Sequence, residues 1–543
     1  MESLVLTAPE ARQSDAHTIQ SGTSAAVLME RVAGCVVSHI LNRTDLFPQG
    51  PILVLCGSGN NGGDGFAVAR LLHDGSCGVQ RDVCACFVGL TAEDGSPDPT
   101  RMSADCADQY HRAADAGVQI ATLQSIGDDW RTASVLVDAV FGIGLCRPID
   151  GPLARLFADI NATAIPVLAI DIPSGIHADT GHALGVALSA TLTVTVQALK
   201  RGLLFNEGAE AAGKLSVCDI GIDLSVLDTH TPHVTDWSLV SRVLPPRSRQ
   251  SHKGTYGRLL LACGSVGMAG AAVMASEAAL RCGSGLVDVL TPEANRTVLQ
   301  TRLPEAIVSP YTDEPDYDSQ LARAIASCDA VVAGCGMGTS ERSYHAISQL
   351  FNSLPDAFPL VLDADALNLL AIHPELWETS ALKMSGDSVV ITPHPSEMAR
   401  LRRSSVLDVL DNPVDVARQF AAERSVTVVL KGAYTVIASP SGQAYINLYG
   451  NAGMATGGSG DVLAGVIGAL TVQNRARIQD GRLSLCDIAA AGVTLHAMAA
   501  DLAVQTVGEY GLCATDIIRT LPLVTKELSD SRTRIGYVPA RCE

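Results

Sequence analysis

The sequence lacks the cysteine patterns that hold small secreted proteins or zinc domains together. Its 15 cysteines include no C-x-x-C pair, and most lie inside apolar runs, as Cys56, Cys218 and Cys263 do. Cysteines of this kind are typical of buried cores in a reducing compartment. Cys84 and Cys86 are too closely spaced for an ordinary zinc knuckle and alternate along a probable strand. We therefore expect these cysteines to be small residues of the hydrophobic core rather than metal ligands.

Aromatic residues and clusters of positive charge are also scarce. Aromatic side chains make up 4% of a chain that is 47% apolar. This balance favours cores of Ala, Val, Leu and Ile, as in α/β proteins, over an aromatic-rich β-sandwich. The formal charge is −19 and lysine and arginine do not cluster, so we expect neither a nucleic acid nor a membrane as partner. A phosphorylated ligand would have to be held by backbone N–H groups and a few local cations.

Targeting and membrane-spanning segments are not evident. The N-terminus lacks a basic region followed by an apolar core, which is the pattern of a signal peptide. The longest uncharged stretch, residues 259–276, is interrupted by Gly264, Gly267 and Gly270. A strand–loop–helix unit explains this stretch better than a membrane helix. We therefore expect a cytoplasmic protein.

Strand-like apolar runs alternate with helix-like segments along the chain, a pattern typical of parallel sheets with helices on both faces. In the first half the predicted strands are 52–56, 83–88, 135–140, 167–172, 192–196 and 215–220. In the second half they include 259–263, 286–290, 330–333, 360–363, 389–392 and 426–430. The sequence therefore predicts an α/β fold throughout.

The chain is long enough for two domains, because 543 residues exceed one ordinary hydrophobic core. Residues 223–253 lose the strand–helix alternation and contain Pro232, Pro245 and Pro246, so we place the joint near residue 230. The two halves do not repeat each other in motif. We therefore predict two different α/β domains, residues 1–230 and 231–543, each with a site at the carboxyl ends of its strands.

A glycine-rich segment in the second half is the most informative part of the chain. Residues 451–461 have the sequence Asn-Ala-Gly-Met-Ala-Thr-Gly-Gly-Ser-Gly-Asp, and the apolar run 462–470 that follows predicts a buried helix. The N–H groups and the dipole of a helix start favour an anion such as phosphate. Asp461 is placed to take a proton from an attacking hydroxyl, which indicates phosphoryl transfer. Taken alone, the segment could also be a turn that only packs a helix.

The first half has its own glycine-rich segment, residues 57–65, between a predicted strand and the helix 66–72. Its five glycines predict a phosphate-cradling turn of the Rossmann type, although the spacing is not G-x-G-x-x-G and a P-loop lysine is missing. Asp138 and Asp171 end two further strands, and each is followed by a glycine-bearing loop. Because an open sheet binds its ligand at these ends, we predict a functional site there.

These first-half segments resemble the NAD(P)H-hydrate epimerase domain. The resemblance rests on Asn60-Asn-Gly-Gly-Asp64, the loop 142–148, Asp171-Ile-Pro-Ser174 and the helical segment 28–31. It implies a Rossmann-like three-layer sandwich that binds hydrated nicotinamide nucleotide. The implied substrate contacts are Asn60, Asn61, Gly62, Gly63, Asp64, Gly142, Ile143, Gly144, Leu145, Cys146, Arg147, Pro148 and Asp171.

The same resemblance implies a potassium ion held by Asn61, Asp138 and Ser174. An oxygen-only ligand set suits a hard monovalent cation. Asp171 is also the candidate for proton exchange while carbon 6 of the hydrated ring loses and regains its configuration. The sequence does not separate that role from simple hydrogen bonding.

The second half carries motifs at successive strand ends that together resemble the ribokinase-like fold. They are Gly264-Ser-Val-Gly-Met-Ala-Gly-Ala271, Gly334-Cys-Gly-Met-Gly338, the segment 362–368, Thr392-Pro-His-Pro-Ser-Glu397 and Leu430-Lys-Gly-Ala433. Thr-Pro-His-Pro together with residues 451–461 resembles the ADP-dependent NAD(P)H-hydrate dehydratase, over roughly residues 235 to 525. One departure is Ser459, where a methionine is typical of that family.

By that resemblance the hydrated dinucleotide contacts Ala271, Gly338, His394 and Asp461, with Asp461 as the catalytic base. ADP contacts Lys431, Gly432, Ala433, Tyr434, Thr435 and Gly460. The implied chemistry is phosphorylation of the ring hydroxyl followed by loss of phosphate, and Mg²⁺ is the implied divalent ion.

The two resemblances together imply a bifunctional repair enzyme. The first domain would interconvert the R and S hydrates of NADH and NADPH, and the second would dehydrate the S hydrate with ADP, giving AMP and phosphate. Small-molecule substrates and a homo-oligomer are the expected partners. A kinase of a vitamin precursor or sugar remains an alternative, since the ribokinase-like fold hosts those too, and so does a first domain that only binds or scaffolds. The sequence leaves open whether ADP is preferred to ATP.

Overall fold

The computed structural model of the chain describes residues 4–383 and 387–531. It divides into two compact units between residues 231 and 232, close to the predicted joint. The predicted domain ranges also include residues 1–3, 384–386 and 532–543, which lie outside the described residues. Each unit is built around its own sheet, in which most strand pairs are parallel.

The N-terminal unit contains a seven-stranded sheet in the order β4-β3-β2-β5-β6-β7-β9, in which every pair is parallel. Its strands are β1 (Val5–Leu6), β2 (Ile52–Cys56), β3 (Val83–Phe87), β4 (Gln119–Thr122), β5 (Val135–Ala139), β6 (Val167–Ile170), β7 (Leu192–Val196), β8 (Leu199–Lys200) and β9 (Lys214–Cys218). Its helices are α1 (Ala8–Gln20), α2 (Ala25–Asn42), α3 (Asn60–Asp74), α4 (Ala104–Asp115), α5 (Gly151–Asn161) and α6 (Asn206–Ala211). Strands β1 and β8 form a separate two-stranded sheet.

Helices cover both faces of this sheet because alternate residues of its strands are apolar on both sides. In β2, Val54 packs in one core with helices α2 and α3, whereas Leu53 and Leu55 pack in another with Phe157 of α5. The three-layer arrangement predicted from the sequence is therefore confirmed.

The glycine-rich segment after β2 forms a shorter turn than the sequence predicted. Helix α3 begins at Asn60 rather than at residue 66, so Gly62, Gly63 and Gly65 lie inside the helix and are buried. A Cβ on Gly62 would lie 1.9 Å from the carbonyl oxygen of Gly57. These glycines therefore let α3 pack closely on the strand ends, and only residues 57–59 form the turn.

The C-terminal unit contains a ten-stranded sheet in the order β10-β19-β18-β17-β16-β15-β14-β11-β12-β13. Its strands are β10 (His233–Val234), β11 (Arg258–Ala262), β12 (Leu286–Pro292), β13 (Ile307–Tyr311), β14 (Ala330–Ala333), β15 (Leu360–Leu362), β16 (Val389–Ile391), β17 (Thr427–Leu430), β18 (Thr435–Ala438) and β19 (Ala444–Asn447). All pairs are parallel except β17 with β18 and β18 with β19. The sequence did not predict these two antiparallel pairings.

In the described part of the C-terminal unit, fourteen helices accompany the sheet. They are α7 (Trp237–Val243), α8 (Ala269–Arg281), α9 (Arg296–Arg302), α10 (Glu314–Ile325), α11 (Glu341–Ser353), α12 (Asp365–Ile372), α13 (Ser380–Lys383), α14 (Pro395–Arg402), α15 (Val406–Asp411), α16 (Pro413–Arg424), α17 (Ser459–Gln473), α18 (Arg475–Gln479), α19 (Leu485–Gly511) and α20 (Ala514–Ser531). Helix α17 is apolar on all sides because it is buried between α8, α19 and the sheet.

Within residues 4–383 and 387–531, two helices, α2 and α19, are long and apolar enough to cross a membrane by length and composition alone. In α19, 78% of the most apolar 18-residue stretch is buried inside the protein. In α2, the buried residues pack in the core of the N-terminal unit. Both helices thus contribute to hydrophobic cores.

The division into two units predicts that each folds without the other, because each has its own sheet and core. Fragments 1–231 and 232–543 should each be soluble and unfold cooperatively, as followed by circular dichroism during heating. Two fragments that stay unfolded alone but fold when mixed would contradict this prediction.

Candidate functional sites

A cavity of about 600 Å³ lies at the carboxyl ends of β2, β5 and β6 in the N-terminal unit. Ten of the predicted substrate contacts line it: Asn60, Asn61, Asp64, Gly142, Ile143, Gly144, Leu145, Cys146, Arg147 and Asp171. The other three, Gly62, Gly63 and Pro148, are not on its wall. The rest of the wall includes residues of α1, of α2, of the segment 196–200 and of the segment after β9. A cavity of this size accommodates a small organic ligand.

The charge at the back of this cavity is an ion pair between Asp171 and Lys200. Lys200 Nζ lies 2.5 Å from Asp171 Oδ1, and both side chains are almost completely buried. The amide of Val196 also donates to Asp171 Oδ1, at 3.2 Å. Asp171 has a φ of +67°, a strained conformation for a residue with a side chain. The strand end therefore holds this carboxylate in one orientation toward the cavity.

Two further carboxyl groups of the cavity wall differ from Asp171. Asp64 lies in α3 just after its first turn, and burial together with the negative charges of Asp171 and Asp15 raises its pKa well above the usual range. Burial and the charge of Asp171 also raise the pKa of Asp15 in α1. The cavity therefore combines a carboxylate that is paired with a lysine and two carboxyl groups whose ionised forms are disfavoured by burial and by neighbouring negative charge.

The three predicted potassium ligands meet near the loop that follows β5. Ser174 donates from its hydroxyl and its amide to Asp138, at 2.6 and 2.7 Å. The amide of Phe141 donates to Ser174 Oγ at 2.8 Å. The side chain of Asn61 lies next to Gly142, and its buried Nδ2 has no hydrogen-bond partner among the described residues. Burial raises the pKa of Asp138 to about 6, although the bonds from Ser174 oppose this.

The glycine-rich segment of the C-terminal unit lies at the start of α17, as predicted, but the helix begins at Ser459 rather than at residue 462. Gly458 precedes the helix with a φ of +91°, which lets the chain turn sharply into it. Asp461 therefore lies in the first helical turn, beside the free N–H groups of the helix start.

A second buried ion pair faces this helix start. Lys431 Nζ lies 2.8 Å from Asp363 Oδ1, and Thr392 Oγ1 donates to the same oxygen at 2.7 Å. Glu397 Oε2 lies 3.8 Å from the ammonium group. Burial disfavours the charged form of Lys431, but the charges of Asp363 and Glu397 outweigh it and raise its pKa. The lysine therefore keeps its positive charge inside the site.

Asp461 completes this cluster. Burial and the charge of Asp363 raise its pKa to about 6, against the opposing effects of Cys335 and Lys431. A carboxyl group with such a pKa can accept a proton near neutral pH. A Cβ on Gly460 would lie 3.5 Å from both Asp363 Oδ2 and Lys431 Nζ, so glycine leaves the space beside the ion pair open.

The remaining predicted ADP contacts form the turn between β17 and β18. Gly432 and Ala433 are exposed and Tyr434 is half-buried. Thr435 is buried, and its hydroxyl donates to the carbonyl oxygen of Gly432 at 3.2 Å. The turn thus presents backbone to solvent beside Lys431.

The remaining predicted dinucleotide contacts follow the central strands. Ala271 is in α8 after β11, and Gly338 follows β14, where its amide donates to Asp365 Oδ2 at 2.7 Å. His394 begins α14 after β16, and its Nδ1 accepts hydrogen bonds from the amides of Ser396 and Glu397. Burial and the charges of Lys431 and Arg400 lower the pKa of His394. The neutral ring therefore carries its proton on Nε2, which makes it a hydrogen-bond donor.

In the first site, the sequence did not point to Asp15 or Lys200. In the second site, it gave no role to Thr392, Glu397 or Cys335, although all three lie in the quoted motifs. Lys200 gave only a weak signal, a single lysine just after a predicted strand. The two acidic positions of segment 362–368 were quoted without a role, and the ion pair with Lys431 now assigns one to Asp363.

Comparison with known proteins gives two family matches, one in each unit. Residues 25–202 match the model described as YjeF-related protein N-terminus, and residues 259–523 match that described as NAD(P)H-hydrate dehydratase. The bifunctional NAD(P)H-hydrate repair enzyme Nnr of Thermofilum pendens is 34% identical over 521 residues, which are 94% of this chain and 93% of the relative. The Nnr protein of Escherichia coli is 37% identical over 481 residues, covering 88% and 86%.

Solved structures also match the C-terminal unit. A crystal structure of ADP/ATP-dependent NAD(P)H-hydrate dehydratase from Bacillus subtilis, co-crystallised with ATP and Mg²⁺, is 30% identical with a TM-score of 0.45. The match covers 54% of this chain and 99% of that chain.

The buried pair in the N-terminal unit generates a stability prediction. Lys200→Met should lower the free energy of unfolding of this unit by about 3–5 kcal/mol, because Asp171 is left buried without a counter-charge. Urea unfolding of the full chain measures the effect. Arg131→Met, which removes an exposed ion pair with Asp128, is the control and should change stability by less than about 1 kcal/mol. Equal effects of the two variants would contradict the prediction.

Proposed function

Since this chain belongs to the family of bifunctional NAD(P)H-hydrate repair enzymes, we propose that each unit carries one of two activities. The N-terminal unit interconverts the R and S hydrates of NADH and NADPH. The C-terminal unit converts the S hydrate back to NAD(P)H at the expense of ADP, giving AMP and phosphate. The relatives' name favours these activities over the kinase and over the scaffolding module that the sequence left open.

The dehydratase activity rests on one observation above all, the Asp461 carboxyl group at the start of α17 with a pKa raised to about 6. We propose that its ionised form takes the proton of the ring hydroxyl as that oxygen attacks the β-phosphorus of ADP. The O–P bond to AMP breaks, and backbone N–H groups at Gly457–Gly460 receive the charge that develops on the transferred phosphoryl group. Lys431 supplies the nearby positive charge.

Phosphorylation turns a poor leaving group into a good one. The ring nitrogen next to carbon 6 can then expel phosphate with its lone pair, and loss of a proton from carbon 5 restores the reduced nicotinamide. Each turnover consumes one ADP and one hydrate and releases AMP, phosphate and NAD(P)H. His394, a neutral donor at Nε2, is suited to hold an oxygen of the dinucleotide rather than to act as a base.

Magnesium enters this proposal with the nucleotide rather than as a resident ion. Among the described residues, one close group of three metal-binding side chains is found, Cys335, Asp363 and Asp461. This group does not fit Mg²⁺, because Mg²⁺ takes oxygen ligands in an octahedron and one member of the group is a thiol. In addition, Asp363 is already paired with Lys431. The phosphate oxygens of ADP supply the ligands that Mg²⁺ prefers.

The epimerase activity is supported by the cavity and its contrasting carboxyl groups. Carbon 6 of the hydrate carries both a hydroxyl and the ring nitrogen. It can epimerise if a base removes the hydroxyl proton, the carbon–nitrogen bond breaks to give an aldehyde, and an acid protonates the nitrogen before the ring closes again. We propose Asp171 as the base and Asp64, which favours the protonated form, as the acid.

A potassium ion in the N-terminal unit is likewise a proposal. Asn61, Asp138 and Ser174 offer amide, carboxylate and hydroxyl oxygens around one loop. Such a set suits K⁺ better than Zn²⁺ or Cu²⁺. The ion would hold the loop 142–148 against the nucleotide.

We further infer a cytoplasmic location, where reduced nicotinamide cofactors are used and where the free thiols of the chain stay reduced. The homo-oligomer stays a prediction, which light scattering of the purified protein checks.

Asp461→Asn should lower ADP-dependent dehydration by at least ~10²-fold, because the amide keeps the size of the carboxylate but accepts no proton. Nucleotide binding and epimerisation should persist. In the unchanged protein the dehydration rate should fall as the pH drops through about 6, since the base works in its ionised form. Asp316→Asn, in the first turn of α10, is the matched control. Near-normal turnover of Asp461→Asn would remove this residue from the mechanism.

Asp138→Asn should slow epimerisation and abolish its stimulation by KCl, because the isosteric amide removes the charge that holds the cation. Dehydration of the pure S hydrate should stay unchanged. Epimerisation that is independent of K⁺ in the unchanged protein, or stoichiometric zinc bound to it, would contradict the cation assignment.

A further inference from the structure

Helix α2 and the edge strand β9 of the N-terminal unit each carry one cysteine that the chemistry above does not use. Cys35 is half-buried in α2, and Cys218 is buried at the end of β9. Both pack in the same hydrophobic core on one face of the sheet. Their relative position follows from the bonds between the helix and the strand.

Two hydrogen bonds fix how α2 lies against β9. In the first half of the helix, Arg31 Nη1 donates to the carbonyl oxygen of Ile220, just after the strand, at 2.7 Å. About two turns later, His39 Nε2 and Ser216 Oγ are hydrogen-bonded at 3.0 Å. Residue numbers rise along the helix while they fall along the strand, so the two elements run antiparallel.

Cys35 and Cys218 lie midway between these two bonds. Residues 31, 35 and 39 share one face of the helix, because they are four positions apart. Residues 216 and 218 share one face of the strand, because alternate side chains point the same way. The register that joins 31 to 220 and 39 to 216 therefore places the two thiols opposite each other.

The surroundings make Cys35 the more reactive thiol of the pair. The neighbouring Cys218 thiol and the His39 imidazole lower the pKa of Cys35, although burial opposes them. The Cys35 thiol and burial raise the pKa of Cys218. Because the thiolate is the nucleophile and Cys35 is the less buried of the two, Cys35 reacts first.

A metal site is the other use to which two thiols and a histidine can be put. Among the described residues, the close group of three metal-binding side chains lies in the C-terminal unit. Cys35, His39 and Cys218 do not form such a group. Redox chemistry therefore suits this pair better than metal binding.

We propose that Cys35 and Cys218 form a peroxide-reactive dithiol, which oxidation converts into a disulfide between α2 and β9. The Cys35 thiolate attacks one oxygen of hydrogen peroxide, the O–O bond breaks, and the sulfur becomes a sulfenic acid. The hydroxide that leaves takes up the proton released by Cys35. The Cys218 sulfur then bonds to the Cys35 sulfur, and the departing hydroxide and the Cys218 proton form a second water. Two thiols are oxidised and one peroxide is reduced to two waters.

The disulfide connects two parts of the cavity wall. Leu28, Met29 and Val32 of α2 line the cavity, as do Ile220 and Ile222 after β9. The bond also closes a long chain segment, which restricts the unfolded N-terminal unit and so stabilises the folded one. A reversible bond of this kind in a reducing compartment is typical of redox sensing.

The test treats the full-length protein with hydrogen peroxide, blocks the remaining thiols with N-ethylmaleimide and maps the disulfides by tryptic digestion and mass spectrometry without reductant. Trypsin releases Cys35 in residues 32–43 and Cys218 in residues 215–242, each as the only cysteine of its peptide. We expect these two peptides to be linked, with a mass two hydrogens below their sum, and to separate after dithiothreitol. The thermal unfolding midpoint of the N-terminal unit should rise by roughly 5–10 °C and return after dithiothreitol.

Cys35→Ser and Cys218→Ser should each abolish both effects, whereas Cys77→Ser, which removes an exposed cysteine of the same unit, should leave both in place. Oxidation of the exposed cysteines while the two peptides stay unlinked would overturn the inference. A linked peptide that fails to raise the midpoint overturns it as well, because the native fold would then not accommodate the bond. Should a serine variant fold poorly, the peptide map of the unchanged protein still decides. None of these results depends on the proposed repair reactions.

Discussion

Each unit depends on one buried carboxylate that a single lysine neutralises at the carboxyl edge of a parallel sheet. Asp171 pairs with Lys200 at 2.5 Å in one, and Asp363 pairs with Lys431 at 2.8 Å in the other. Buried charges are tolerated only when they are paired. The pair fixes where negative charge can exist, and any second carboxyl group nearby is then destabilised in its ionised form. Burial and, next to it, the charge of Asp363 give Asp461 a pKa of about 6, which suits proton transfer.

The same arrangement supports two reactions in one chain. Hydration of NADH or NADPH gives both epimers at carbon 6, whereas the proposed dehydratase accepts one. An epimerase in the same chain lets all of the damaged cofactor be recovered. The two sites share a physical device, a paired carboxylate beside one with a raised pKa, on sheets of different topology.

The sequence predicts the α/β architecture well because apolar runs mark the central strands. The strands Ile52–Cys56, Leu192–Val196 and Ala330–Ala333 lie where the pattern placed them. Strands β4, β18 and β19 were not predicted; β4 lies at the edge of its sheet and is partly exposed, so it lacks a continuous apolar run. The turn after β2 is shorter than predicted, because close helix packing and a tight turn both favour glycine and the sequence does not separate them. Lys200 was missed because its partner depends on the fold that brings β8 beside β7 and β1.

Recovery of reduced nicotinamide from a mixture of hydrate epimers tests the central claim most directly. The purified full-length protein is incubated with both epimers of hydrated NADH, and absorbance near 340 nm is followed with ADP and Mg²⁺ and without ADP. We expect recovery of the whole mixture with ADP, formation of one AMP per NADH, and no recovery without ADP. Recovery that stops at half of the hydrate would contradict an epimerase in this chain, and accumulation of a stable phosphorylated product would contradict dehydration.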